Sequence, residues 1–170
     1  MQITVHPDPN EGAVLRWGKR HQRRCAVGRG GIAIKNTEGD GITPVGTFAL
    51  RRVVYRADRL ACPQTALHTA VLTPLDGWCD APSDPNYNRL VKLPYASSAE
   101  ELWREDHLYD AVAVIGFNDD PVVAGKGSAI FLHVAPDDFA PTEGCIALAL
   151  PDLLDVLALL APGDTIAITI

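Results

Sequence analysis

The feature that most constrains this chain is its punctuation. Runs of five to ten β-type residues, such as AVAVIGF (111–117) and AIFLHV (129–134), are separated at short intervals by glycine, proline and asparagine. Such runs are too short for a helix bundle, and their spacing is that of a sheet folded through many turns. Candidate strands cover 2–6, 13–17, 23–27, 46–55, 89–93, 111–117, 129–134 and 165–170. The two runs quoted lack polar alternation, which predicts central strands covered on both faces. One helix is expected over 151–160, PDLLDVLALL, because Pro151 suits the first helical turn, Asp152 complements the helix dipole and Pro162-Gly163 ends it. The expected fold class is mainly β with a few short helices, a mixed or antiparallel sheet forming a sandwich or barrel.

With 170 residues, the chain is expected to form one domain over 1–170. A hydrophobic share of 47% and a charged share of 21% describe a globular composition, and no apolar run is long enough to span a membrane as a helix. The net charge of −6 and the lack of any long Lys/Arg cluster disfavour a nucleic-acid partner. The first residues, MQITVHPDPNEG, lack the basic and apolar regions of a secretory signal. Residues 56–110 carry weaker periodicity, several prolines and scattered aromatics, so this stretch is expected to be an insertion, either a lid or groove or a cap on the core.

Four cysteines, at 25, 62, 79 and 145, show no CxxC spacing. A disulfide between Cys62 and Cys79 stays open, whereas Cys25 reads as a small buried residue of a strand. His68 lies between Cys62 and Cys79, but the spacing matches no zinc pattern, so no metal site is expected. His6, His21, His68 and His107 have no partner pattern and read as surface or loop residues. His133 and Cys145 stand apart, because a strand ending in His133 shortly precedes a glycine turn that presents Cys145. A thiol attacks as thiolate, so it needs a base and a donor for the oxyanion it creates. His133 supplies the first, and Gly144 lets the amides of 144 and 145 approach a carbonyl oxygen. Such a pairing predicts a Cys145 pKa below the free-thiol value of about 8.5. From spacing alone, two ordinary core residues remain the default reading.

The segment GSAIFLHV…PTEGCIAL resembles the active-site signature of YkuD-type L,D-transpeptidases, a histidine at a strand end followed by Ser/Thr-x-Gly-Cys. The upstream block GDGITPVGTF (39–48) is similar to the Thr-Pro-x-Gly element of that family. GWCDAPSDPNYNRLV (77–91) and ELWREDHLYDAVAVIGFN (101–118) resemble a subgroup with a long middle insertion. The resemblance implies the YkuD-like fold, with Cys145 as nucleophile, His133 as general base and the Val134 carbonyl orienting the imidazole. The implied reaction is acyl transfer on peptidoglycan stem peptides through a thioester, with no cofactor. A carboxypeptidase or endopeptidase using water, and a non-catalytic wall-binding module, are the alternatives. The substrate implies an envelope or periplasmic location, while the missing signal leaves a cytoplasmic one open; oligomeric state is likewise open.

The sequence departs from the family at Glu143, where many members carry histidine, and at Ala147, near which many carry arginine or asparagine. Arg89 is the first candidate to meet a substrate carboxylate in place of that arginine, with Lys35 second. Trp78, Tyr87 and Asn88 are expected to line a donor groove, with Thr142 and Glu143 at its rim. Trp103 and Tyr109 are expected to anchor the insertion to the sheet, and Asn118 to orient a loop.

Overall fold

The computed structural model describes residues 1–170. In chain order its elements are β1 (Gln2–Asp8), β2 (Gly12–Trp17), β3 (His21–Arg24), β4 (Ile32–Ala33), β5 (Thr43–Pro44), β6 (Gly46–Tyr55), β7 (Thr69–Val71), β8 (Asp76–Cys79), β9 (Leu90–Lys92), β10 (Ala99–Glu101), β11 (Ala111–Ile115), β12 (Phe131–Val134), β13 (Ile146–Leu148), α1 (Leu150–Leu157) and β14 (Thr165–Ile168). The fold is mainly β with one helix, where a few were expected. All eight expected strands have a counterpart, and β6 matches residue for residue.

One mixed sheet runs in the order β13-β12-β11-β6-β14-β1-β2-β3, with β7 added beside β6. The β1–β14, β12–β13 and β6–β7 pairs are parallel, and the other neighbours are antiparallel. The two ends of this sheet nearly meet. Beyond β3, Ala26 exchanges both backbone hydrogen bonds with Ala147 of β13, at 2.8 and 2.9 Å. This bridge rolls the sheet towards a barrel and pairs the backbone of an edge that would otherwise lie open.

The expectation of two-sided strands holds at β11 and explains where the site lies. Ala111, Ala113 and Ile115 join the large core inside the barrel, together with Leu132 and Val134 of β12 and Leu153, Val156 and Leu157 of α1. Side chains alternate across a strand, so Val112 and Val114 face the other way, into a second core with Phe131, Trp78, Leu102, Tyr109 and Cys145. The helix needs no side-chain cap, since Pro151 opens its first turn.

The insertion over 56–110 is more ordered than its sequence suggests. It adds β7 to the main sheet and forms a small antiparallel sheet, β10-β8-β9, in which Trp78 sits opposite Glu100 and Leu90. Within the insertion only β9 was expected, over 89–93; β7, β8 and β10, of three or four residues, are too short to display a period of two. Trp78 and Tyr109 of this insertion meet Phe131 edge-on, with ring centroids 5.1 and 6.0 Å apart. Phe131 is thus the hinge between sheet and insertion. Phe131→Ala is expected to destabilise the chain by about 3–5 kcal/mol, read as a lowered urea midpoint with loss of near-ultraviolet dichroism.

Candidate active site

Cys145 closes the turn 142–145 that leads into β13, and His133 lies on the neighbouring parallel strand β12, opposite Ala147. Both side chains line one cavity of about 570 Å³, with Tyr109, Glu100, Ala129 and Thr142 among its other walls. The turn is held from two sides by threonine hydroxyls. Thr142 Oγ1 donates to the Cys145 carbonyl at 2.7 Å and accepts the Gly144 N–H at 3.1 Å. Thr43, fully buried, accepts the Gly28 N–H at 2.8 Å and donates to the Gly144 carbonyl at 2.9 Å. The GDGITPVGTF block therefore acts on the turn 142–145 directly, through Thr43.

Two glycines make this contact possible. Gly144 has φ of +136°, and a Cβ there would meet the Ile42 carbonyl at 2.9 Å. A Cβ on Gly28 would fall 2.1 Å from the Gly41 carbonyl and 3.0 Å from the Gly144 Cα. Three backbone segments touch at Gly28, which sequence reading passed over because one glycine in a glycine-rich stretch carries no pattern.

The imidazole Nδ1 of His133 lies 2.8 Å from the Val134 carbonyl oxygen, so Nδ1 carries the proton and donates it there, leaving Nε2 as the acceptor nitrogen. Tyr109 meets the ring edge-on at 5.2 Å. The Cys145 thiol donates to the Ala129 carbonyl at 3.1 Å and accepts the Phe131 N–H at 3.3 Å. Its partners in this state are backbone groups, not the imidazole. Ala129 itself sits at φ of +53°, a conformation an alanine adopts only under constraint. The constraint is Asn88, whose Oδ1 accepts the Ala129 N–H at 3.0 Å.

Electrostatics overturns the expectation of a lowered thiol pKa. Burial, then the negative charge of Glu100, push Cys145 up to about 12, against smaller opposing effects of the Phe131 N–H and Lys35. Burial likewise pulls His133 down to about 4, only partly opposed by the carbonyls of Val134 and Leu108. The resting pair is therefore a neutral thiol and a neutral imidazole. The Gly144 N–H is occupied by Thr142, while the N–H groups of Glu143 and Cys145 have no acceptor.

The remaining candidates divide sharply. Thr142 and Glu143 line the Cys145 cavity, Glu143 being exposed and paired with Arg29 at 2.9 Å. Trp78, Asn88 and Arg89 instead line a separate cavity of about 580 Å³ with Arg51, Arg52 and Asp119. Asn88 is saturated, accepting from Trp78 Nε1 and Ala129 and donating to the carbonyls of Phe117 and Asn118 at 2.9 and 2.8 Å. Tyr87 is buried, its hydroxyl hydrogen-bonded to Glu38 and to the Gly127 N–H. These insertion residues support the cavity wall rather than its surface, because the insertion turns their side chains into the second core and the loop 117–129. Lys35 is buried and paired with Asp40. Trp103 lies under the Arg56 guanidinium, and Asn118 braces its own loop through Val123 and Gly127. His68 and His107 are exposed, while His6 and His21 lie within β1 and β3. All four cysteines are free, Cys62 exposed and Cys79 buried, so the two form no disulfide. What sequence reading missed is the acidic lining, Glu38, Asp80 and Glu100, and Tyr109 beside the imidazole; acids from separate loops and a three-residue strand carry no spacing signal.

The model of the YkuD L,D-transpeptidase catalytic domain matches residues 3–168. The chain belongs to this family. Among curated proteins none matches the sequence. Similar solved structures include an L,D-transpeptidase from Mycobacterium smegmatis, at 13% identity and a TM-score of 0.47, covering 99% of this chain and 58% of that one. L,D-transpeptidase 3 from Mycobacterium tuberculosis, in complex with a faropenem-derived adduct, gives 12% identity and a TM-score of 0.45, over 99% and 60% of the two chains. This chain thus spans about three-fifths of the length of those YkuD relatives. No helix of the fold is long and apolar enough to cross a membrane.

Two pH effects follow from the neutral pair. Alkylation mapped to Cys145 is expected to keep accelerating with pH well past 9, since the thiolate fraction grows about tenfold per pH unit below the raised pKa. Cys62 is exposed and reacts as well, so the label must be resolved by peptide mass mapping. For His133, the folded pKa lies below the ordinary value of 6.5, so the unfolded chain binds the proton first as pH falls. The stability of the native chain over His133→Gln is expected to shrink by about 1.4 kcal/mol per pH unit from 6.5 towards 4, measured by urea unfolding at stepped pH.

Proposed function

We propose that this chain is a cysteine-dependent acyltransferase acting on peptidoglycan stem peptides, an L,D-transpeptidase working through a thioester. The observation that carries the reading is that Cys145 and His133 line one cavity in a chain of this family. Val134 orients the imidazole so that Nε2 serves as the base.

In the proposed reaction, Sγ of Cys145 forms a bond to the carbonyl carbon of the donor stem as its proton passes to His133 Nε2. Because both groups rest neutral, deprotonation accompanies attack instead of preceding it. The oxyanion is met by the Cys145 N–H, and Gly144 keeps its approach free of a side chain. The carbon–nitrogen bond then breaks, and the departing amine takes the proton from the imidazolium, leaving the thioester. An incoming amine attacks that carbonyl and gives a proton to Nε2. The carbon–sulfur bond breaks, and the sulfur recovers the proton. Thr142 and Glu143, at the cavity mouth, contact the substrate in this reading. A peptidoglycan substrate places the enzyme in the cell envelope.

Cys145→Ala is expected to fold normally, since little volume is removed, and to lose turnover entirely. Incubation with a carbapenem followed by intact mass analysis is expected to show one covalent adduct on the native chain and none on Cys145→Ala. An adduct that persists in the variant sinks the assignment.

A further inference from the structure

The second cavity, which touches neither Cys145 nor His133, is lined by three arginines, Arg51, Arg52 and Arg89, and one carboxylate, Asp119. Such a concentration of positive charge runs against the chain's net charge of −6. Arg51 is satisfied within the protein, since it holds Asp119 through two hydrogen bonds at 2.7 and 3.0 Å, and Asp120 adds its charge. Arg52 and Arg89 have neither a side-chain hydrogen bond nor an ion pair. Apart from Arg20, in the turn between β2 and β3, every other arginine of the chain has an acceptor or an acid beside it. Two of the three uncommitted arginines therefore line the same cavity.

The backbone brings these groups together by an irregularity. Consecutive residues of a strand ordinarily point to opposite faces. Here β6 bulges: Arg52 lies opposite Val114 and Leu50 opposite Ile115, so Arg51 has no partner on β11, and both arginines reach one cavity. Arg89 arrives from another element, immediately before β9, whose Leu90 pairs with Trp78. Between the arginines the lining is apolar, made by Trp78, Leu90, Val114 and Ile115. Asp119 shows what a carboxylate offers such a site, because its two oxygens lie in one plane and a single guanidinium uses both. Two guanidinium groups coming from different strands need an acceptor with oxygens in more directions, which a phosphate has. A phosphate monoester also carries close to two negative charges near neutral pH, matching the two free arginines.

We propose that this cavity binds a small phosphate monoester, its phosphate held by Arg52 and Arg89 and its organic body set against Trp78, Leu90, Val114 and Ile115. A volume of about 580 Å³ lies within the range of small-molecule sites. The site is independent of the acyl-transfer reading, because none of its residues touches the thiol or the imidazole cavity.

Calorimetry on the full-length chain, near neutral pH and at low salt, tests the site with phenyl phosphate, inorganic phosphate and benzoate. Phenyl phosphate is expected to bind one-to-one and at least about tenfold tighter than either of the others, since inorganic phosphate lacks the apolar body and benzoate the third oxygen. Arg52→Gln and, independently, Arg89→Gln are each expected to weaken phenyl phosphate binding at least about tenfold, while Arg20→Gln changes it less than about twofold. Arg89 is exposed, so Arg89→Gln leaves the fold intact and keeps the test decisive even where Arg52→Gln does not fold. No saturable binding, inorganic phosphate or benzoate bound as tightly as phenyl phosphate, a loss in Arg20→Gln as large as in the other variants, or binding unchanged in Arg89→Gln overturns the site. Binding is read without turnover, so its outcome stands apart from the carbapenem test of Cys145.

Discussion

The structure depends on how one turn, 142–145, is held. Its backbone is pinned by bridges to the segment after β3, where Thr142 exchanges hydrogen bonds with Val27 and Arg29 and Ala147 with Ala26. Thr43 adds a hydroxyl that reaches both Gly28 and Gly144. These bonds nearly close the sheet and, in the same act, fix the position of Cys145. Barrel closure and the placement of Cys145 are one constraint, because the residues that seal the edge of β13 immediately adjoin the cysteine. Ala147 is fully buried at this seam and supplies both backbone groups to it.

The second constraint is that β11 and β12 are covered on both sides. One face builds the barrel interior with α1, and the other carries Phe131 and His133 under the insertion. Burial of this second face is what keeps the thiol and the imidazole neutral. It also concentrates the effect of Glu100, whose charge acts on Cys145 across a cavity poorly screened by water. The site therefore combines an uncharged thiol and imidazole with an acidic wall, to which the insertion contributes Asp80 and Glu100.

The strands were legible wherever they ran to five residues or more, as in β6 and β11, since periodicity needs that length to show. Of the short strands of the insertion only β9 was legible; β7, β8 and β10 were not, and neither was their order. That Cys145 and His133 share one cavity, with the Val134 carbonyl on the imidazole, was legible because they are close in sequence and lie on motifs whose neighbours are covalently set. Trp78, Asn88 and Arg89 were misplaced for the converse reason. They belong to a segment whose path over the sheet is decided by packing on Phe131, and sequence does not say which face of a short strand turns inward. Asn88 illustrates this well: its four hydrogen bonds all go to the protein's own groups, and its influence on the site passes through Ala129.

By itself the sequence determined the mainly β class, the long central strands and the pairing of the 142–145 turn with His133 as the candidate site, because these follow from local composition and from residues a few positions apart. Only the tertiary structure decided the protonation state of the pair, the role of Gly28 and Thr43, and which insertion residues reach the cavity. Those depend on burial and on contacts between segments a hundred residues apart, such as Thr43 with Gly144. Desolvation and long-range packing have no local signature, so a thiol that reads as activated in sequence rests, once enclosed, as a neutral group awaiting its base.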